Sequence, residues 1–200
     1  MGTLVLYMPM KVCVYCASSA KVSEKYFAAA ETLGVLMANN EHTLIYGGGS
    51  LGLMGKIADT MLAHGGHVKG VLPRFMDEVE WGHKDISEMV LVEDMHERKK
   101  LLIDGVDAVV ALPGGCGTLE ELSEVVTLKR LGKFTKPIVI LNLDGFYDPL
   151  KALFEKMIEE KFMRQEHRAI YTFVDTVEEI IPAIKNAPAW DADAISFAAV

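Results

Sequence analysis

Residues 112–121 read LPGGCGTLEE, which sets three glycines, a proline and two adjacent carboxylates between apolar runs. Gly114, Gly115 and Gly117 carry no side chain and permit positive φ, so successive backbone N–H groups can converge there on one anion. The spacing predicts a helix from about Thr118, whose unpaired N–H groups and positive dipole end would join that cradle. Such a cradle suits a phosphate. Glu121 beside it has two readings. Thr118 and Glu121 form S/T-x-x-E, a capping box in which the glutamate serves only the backbone. In the other reading Glu121 shares a stripe with Val125 and Leu128 and faces a ligand crevice, while Glu120, Glu124 and Thr127 face solvent. A carboxylate so placed would meet developing positive charge.

A cation of matching character lies in DMHERKKLLID, residues 94–104. Helical spacing puts Met95, Arg98 and Leu102 on one face, with Glu97, Lys99 and Lys100 pointing elsewhere. Arg98 therefore rides with apolar residues. A guanidinium cannot shed its proton, so the pattern predicts an anion for it, either a carboxylate such as Glu121 or a bound phosphate.

A second glycine-rich turn, YGGGSLGLMG at 46–55, satisfies G-x-G-x-x-G through Gly47, Gly49 and Gly52. The dinucleotide version follows a first strand and is answered about twenty residues on by an acidic residue. Here the turn follows the second strand, and the next strand ends in Pro73 and Arg74. Two facing cradles with a carboxylate between them suit a mononucleotide better; glycines that merely allow tight turns and close helix packing are the plainer alternative. Cys13 and Cys16 form C-x-x-C, but odd spacing in one strand sends them to opposite faces. His64 and His67 lack a third ligand at metal spacing, so a turn is expected there and no metal. Cys116, at a helix N-terminus, is read as incidental to the cradle.

Elements able to position these groups alternate along the chain. Strand-sized apolar runs occur at 11–16, 42–47, 67–73, 107–114 and 136–142, with a further strand at 171–174. Helical periods fill 23–39, 52–64, 94–104, 118–132 and 176–186. Strand then helix, repeated, predicts a doubly wound, Rossmann-like parallel sheet with helices on both faces, in a single α/β domain over 11–186. Residues 1–10 read as an extension and 187–200 as a loose tail or a docking arm.

Composition narrows the partners. A net charge of −8 argues against a nucleic-acid backbone or an anionic membrane surface. No apolar run is long enough to span a bilayer. Three cysteines, an odd number, suit a reducing cytoplasm.

YGGGSLGLMG, MHERK and PGGCGTLEE, in that order and each at a strand end, resemble the LONELY GUY family of cytokinin riboside 5′-monophosphate phosphoribohydrolases, whose signature is P-G-G-x-G-T-x-x-E. The likeness runs from about residue 10 towards residue 180. Close relatives with the same signature hydrolyse AMP, and such chains have been labelled lysine decarboxylases, although no pyridoxal-binding lysine motif is present here. The resemblance implies that Arg98 and Glu121 are the catalytic pair and that Gly114, Gly115, Gly117 and Thr118 hold the 5′-phosphate. It also implies that Ser18, Ser19, Gly48 and Gly49 line the same crevice, and that Met95 and Glu80 lie toward the base. Ala17 departs from the family's usual glycine. The resemblance further implies a homodimer, AMP or isopentenyl-AMP as substrate, and no cofactor. A nucleotide or molybdenum-cofactor carrier using the same cradles without chemistry is the other class; it would not require Arg98 and Glu121 together.

Overall fold

Seven short β-branched runs with apolar residues at nearly every position require burial on both faces, and the chain meets that requirement with one parallel sheet. The computed structural model describes residues 8–77 and 81–197. Its elements are β1 (Lys11–Tyr15), α1 (Glu24–Asn39), β2 (Thr43–Tyr46), α2 (Gly52–Ala63), β3 (His67–Pro73), α3 (Arg74–Asp77), β4 (Glu88–Val92) and α4 (Met95–Ile103). They continue with β5 (Ala108–Ala111), α5 (Cys116–Arg130), β6 (Ile138–Leu141), α6 (Asp148–Glu159), β7 (Thr172–Val174) and α7 (Ile180–Asn186).

Strand order is β4-β3-β2-β1-β5-β6-β7, and every pair is parallel. Alternation along β1 divides the core. Val12 and Val14 join a cluster with Leu33 of α1, Ile57 of α2 and Ile180 of α7. Cys13 and Tyr15 join the opposite cluster with Leu102 of α4, Leu122 of α5 and Phe154 of α6. Cys16 packs with the first cluster and Cys13 with the second, so the two thiols are separated by the sheet, as their odd spacing requires.

The doubly wound expectation holds, with three elements added: the four-residue α3, β4 and α6. β4 is an edge strand whose pattern, EMVLV, is exposed at Glu88 and only partly buried at the next three residues, so its apolar signal is weak. α6 begins with Asp148 and Pro149 and buries Phe154 and Ile158. Its four-residue apolar spacing is a helical signature that the sequence carries in plain form. In the segment after Ala187, Trp190 Nε1 donates to the Lys129 carbonyl at 2.5 Å, and the ring lies 5.9 Å from Lys129 Nζ. Residues 1–7 of the expected extension lie outside the described residues.

Winding proceeds outward from β1 to β4, then returns to β5 on the other side of β1. The carboxyl ends of β1 and β5 therefore diverge into a crevice, the place where open α/β sheets bind ligands.

Candidate active site

Four strands contribute to that crevice. β1 leads to Ser18 and Ser19, β2 to Gly47–Ser50, β3 presents the Val71 carbonyl, and β5 leads into Pro113–Gly115 and the start of α5. The N-terminus of α4 closes one side. The resulting cleft has a volume of about 370 Å³ and is lined by Ser18, Ser19, Met95, Arg98, Gly115, Gly117, Thr118 and Glu121. Gly114 lies behind it, in an adjoining hollow with Tyr26 and Phe146. Gly49 lines a smaller apolar recess beside the cleft, which also borders Arg98. Gly48 lines neither, and its carbonyl is taken by the backbone N–H of His83. Glu80 lies outside the described residues.

Two expectations about the glycine loop before α5 are corrected. Gly114, Gly115 and Gly117 all keep ordinary φ; the positive values fall on Gly48 and Gly52 of the other loop. Absence of a side chain is what matters instead. A Cβ on Gly114 would overlap the Thr118 hydroxyl, whereas at Gly115 and Gly117 it would enter open space. The capping box does not form either. α5 starts at Cys116 with Gly115 as its N-cap, and no side chain caps it. Thr118 sits in the first turn and Glu121 beyond it. The first-turn N–H groups of a 15-residue helix, with no acidic side chain among its opening residues, thus face the cleft.

Arg98 is 7% exposed and lies on the buried side of α4, whose N-cap Asp94 accepts from the N–H groups of His96 and Glu97. Its anchors are backbone carbonyls and not a carboxylate. Nε donates to Val71 at 3.1 Å and Nη2 to Gly47 at 2.8 Å, while Nη1 lies 3.9 Å from the Met95 sulfur. Among the described residues Arg98 makes no ion pair. A guanidinium has five N–H groups, so donors are left over for a ligand. A Cβ on Gly47 would overlap Nη2, so any larger residue there must displace the guanidinium.

Three glutamates crowd the start of α5; Glu120 and Glu121 both line the cleft, and only Glu121 is left without an ion-pair partner among the described residues. Lys99 pairs with Glu120 at 2.6 Å and with Glu124 at 3.2 Å. That role for Lys99 was not legible in sequence, because its partners lie on another helix. Glu121 is half-buried, with Val125 buried on its stripe and Glu120 and Thr127 exposed. Burial raises its pKa from 4.5 to about 7; the neighbouring Arg98 opposes that rise, and Glu120 adds to it. Burial likewise lowers the pKa of Arg98, against the pull of Glu121. The pair is close enough to interact and is not neutralised by direct contact.

Tyr15, Met54, Met76 and Trp81 also line the cleft, and sequence reasoning passed over all four. Trp81 and Met76 come from the stretch between β3 and β4, which carries no motif. Of the other candidates, His64 turns its Nδ1 to the Thr60 carbonyl, and His67 opens β3 on the surface. Cys116 lines the cleft as the exposed first residue of α5.

A family model described as "Possible lysine decarboxylase" matches residues 54–184. A probable cytokinin riboside 5′-monophosphate phosphoribohydrolase of Oryza sativa subsp. japonica is 43% identical over 171 residues, covering 86% of this chain and 77% of that protein. The chain belongs to the LONELY GUY family. An Arabidopsis thaliana member of that family, a cytokinin riboside 5′-monophosphate phosphoribohydrolase, is 38% identical over 175 residues, covering 88% of this chain and 77% of its own. The fold is shared more widely than the LONELY GUY family. The molybdenum cofactor carrier protein of Chlamydomonas reinhardtii superposes with a TM-score of 0.65 at 21% identity, over 90% of this chain and 98% of that one. The molybdenum cofactor binding protein of Rippkaea orientalis gives 0.67 at 20% identity, over 89% and 97% of the two chains. At such identities the likeness is one of fold.

Proposed function

We propose that the chain hydrolyses the N-glycosidic bond of a purine riboside 5′-monophosphate, releasing free base and ribose 5-phosphate. The observation that carries this reading is Glu121: a half-buried carboxyl raised to about 7, beside Arg98 and one helical turn from an uncapped helix N-terminus. A carrier would have no use for a proton-transfer group poised near neutrality.

In this reading the first-turn N–H groups of α5, with Gly114, Gly115, Gly117 and Thr118, hold the 5′-phosphate. Ser18 and Ser19 border the same crevice. The C1′–N bond breaks with its electron pair going to the base, and the ribose takes on oxocarbenium character. Glu121 stabilises that cation and accepts a proton from the water that adds to C1′, while the departing base gains a proton. The donors left on Arg98 hold the phosphate or meet charge growing on the base. Phosphate binding remote from the broken bond supplies positioning, so the free nucleoside should react poorly.

Met95, Met54 and Trp81 give the rest of the cleft an apolar wall suited to a flat base. Among the described residues lining the cleft none is a lysine, so a pyridoxal-dependent decarboxylation has no anchor there. The substrate is AMP or its isopentenyl derivative, and the working assembly is a cytoplasmic homodimer.

The test is direct: incubation with each nucleotide and measurement of free base and ribose 5-phosphate, alongside Glu121→Gln. Base release lost by at least about a hundredfold in a folded variant supports the reading. Binding without release would transfer the protein to the carrier class.

A further inference from the structure

The residues just before β4 run back over the glycine loop that anchors Arg98. Gly82 forms an antiparallel bridge with Gly49, the Ser50 N–H donates to the Trp81 carbonyl at 3.0 Å, and the His83 N–H donates to the Gly48 carbonyl at 2.9 Å. Two successive carbonyls of this loop are thus used for different ends: Gly47 holds the Arg98 guanidinium and Gly48 holds His83. The His83 side chain continues the attachment. It is buried, its Nδ1 accepts from the Asp85 N–H at 3.2 Å, and its Nε2 lies 2.9 Å from Asp59 Oδ1 on α2. Since Nδ1 accepts, the ring hydrogen sits on Nε2 and is donated to the Asp59 carboxylate.

Trp81 is two residues away, 52% exposed, and forms one wall of the cleft. Among the described residues its indole makes no hydrogen bond or ring contact, so the ring's place depends on the backbone of residues 81–83. That backbone is tied to the glycine loop on one side and, through His83, to α2 on the other.

We propose that the His83–Asp59 pair is a positioning clasp that sets the Trp81 wall of the cleft and thereby governs affinity for the base end of the substrate. The proposal rests on the reading of the cleft as a nucleotide site. His83 touches no reacting atom. Arg98 keeps its second anchor, the Val71 carbonyl on β3, whatever happens to the clasp.

The chain has two tryptophans, so Trp190→Phe leaves Trp81 as the sole indole reporter. In that background, acrylamide quenching of Trp81 and the AMP hydrolysis kinetics are compared for His83→Ala, His83→Gln, Asp59→Ala and the parent. Asp59 is largely exposed, so its replacement leaves no buried charge and reports even where His83→Ala fails to fold. Loss of either clasp residue should raise KM about tenfold with kcat changed less than about threefold, and should raise Trp81 quenching. His83→Gln, which retains a donor and an acceptor, should restore both. Unchanged KM and quenching in folded Asp59→Ala would overturn the proposal, as would a fall in kcat with KM unmoved. Quenching needs no turnover, so a protein that hydrolyses nothing would refute the hydrolase reading and still decide the clasp.

Discussion

The Nη2 of Arg98 lies 2.8 Å from the carbonyl oxygen of Gly47, 51 residues earlier in the chain. A guanidinium held by neutral carbonyls keeps its full positive charge available, whereas one paired with a carboxylate would be partly neutralised before any substrate arrived. The glycine loop after β2 therefore acts through what it lacks. It makes room for the cation, and its carbonyl sets the cation's direction.

Gly47→Ala tests that relationship. The residue does not have a positive φ, so alanine strains no backbone there; its methyl group displaces the guanidinium. Nucleotide hydrolysis should fall by about a hundredfold in kcat/KM with the circular dichroism spectrum retained, a loss of about 2.7 kcal/mol in transition-state stabilisation. Activity within about threefold of the parent would show that Arg98 needs no such anchor.

Glu121 should cost the fold stability for the sake of its chemistry. Its pKa is raised from 4.5 to about 7, so the folded state favours the protonated carboxyl. This group's contribution is most favourable below pH 4.5, declines as pH rises through about 7, and is constant above that. Full ionisation corresponds to about 3 kcal/mol, reduced to about 1–2 by solvent at the cleft mouth. Glu121→Gln should therefore be more stable than the parent at pH 8 and nearly equal to it at pH 4.5, as read by urea unfolding at both values. Equal stabilities at pH 8 would show that the carboxyl is better solvated than its surroundings suggest.

The same ionisation should appear in the rate. With the carboxylate as the acting form, kcat/KM should reach a plateau above about pH 7 and fall about tenfold per pH unit below it. A phosphate monoester titrates near 6, so a limb centred there would belong to the substrate. Rates measured from pH 5 to 9 separate the two.

Gly117 sets affinity against helix stability. A Cβ at this position enters open space within the cleft, where the reading places the phosphate. Gly117→Ala should raise KM about tenfold while stabilising α5 by up to about 1 kcal/mol, since alanine is the better helix former. Thermal denaturation and kinetics on one preparation show both effects. A lower KM would place the phosphate elsewhere.

Lys129 offers a test far from the cleft. It is 1% exposed, donates to the Lys136 carbonyl at 2.9 Å, and burial lowers its pKa from 10.5 to about 8. Between those values the unfolded chain binds the extra proton, so this group's contribution to stability rises with pH from about 8 to 10.5 and is lost as pH falls through 8. Lys129→Met should be more stable than the parent by about 1–2 kcal/mol at pH 7, with the difference closing by pH 10 in paired urea unfolding curves. A variant less stable at pH 7 would make the Lys136 bond and the Trp190 contact the larger effects.

Local pattern was enough for much of this molecule. Alternating periods of apolar residues determined the parallel sheet and its two covered faces, and the strand-end glycines located the crevice, because burial and backbone freedom act within a few residues. The stripe Arg98–Leu102 and the stripe Glu121–Val125 could be assigned inward for the same reason. Tertiary structure alone decided what those side chains meet. Whether Arg98 faces a carboxylate or a carbonyl depends on Gly47, in the loop after β2, and Val71, in β3. Whether Glu121 caps its helix depends on where α5 begins, and it begins at Cys116, two residues before the pattern suggests. The pairing of Lys99 with Glu120 and Glu124, which leaves Glu121 the one unpaired carboxylate of the three, joins two helices in space. The bond from His83 to Asp59, 24 residues away, likewise ties the stretch before β4 to α2. Contacts of that range carry no periodic signal, since they depend on how elements pack and not on spacing along the chain.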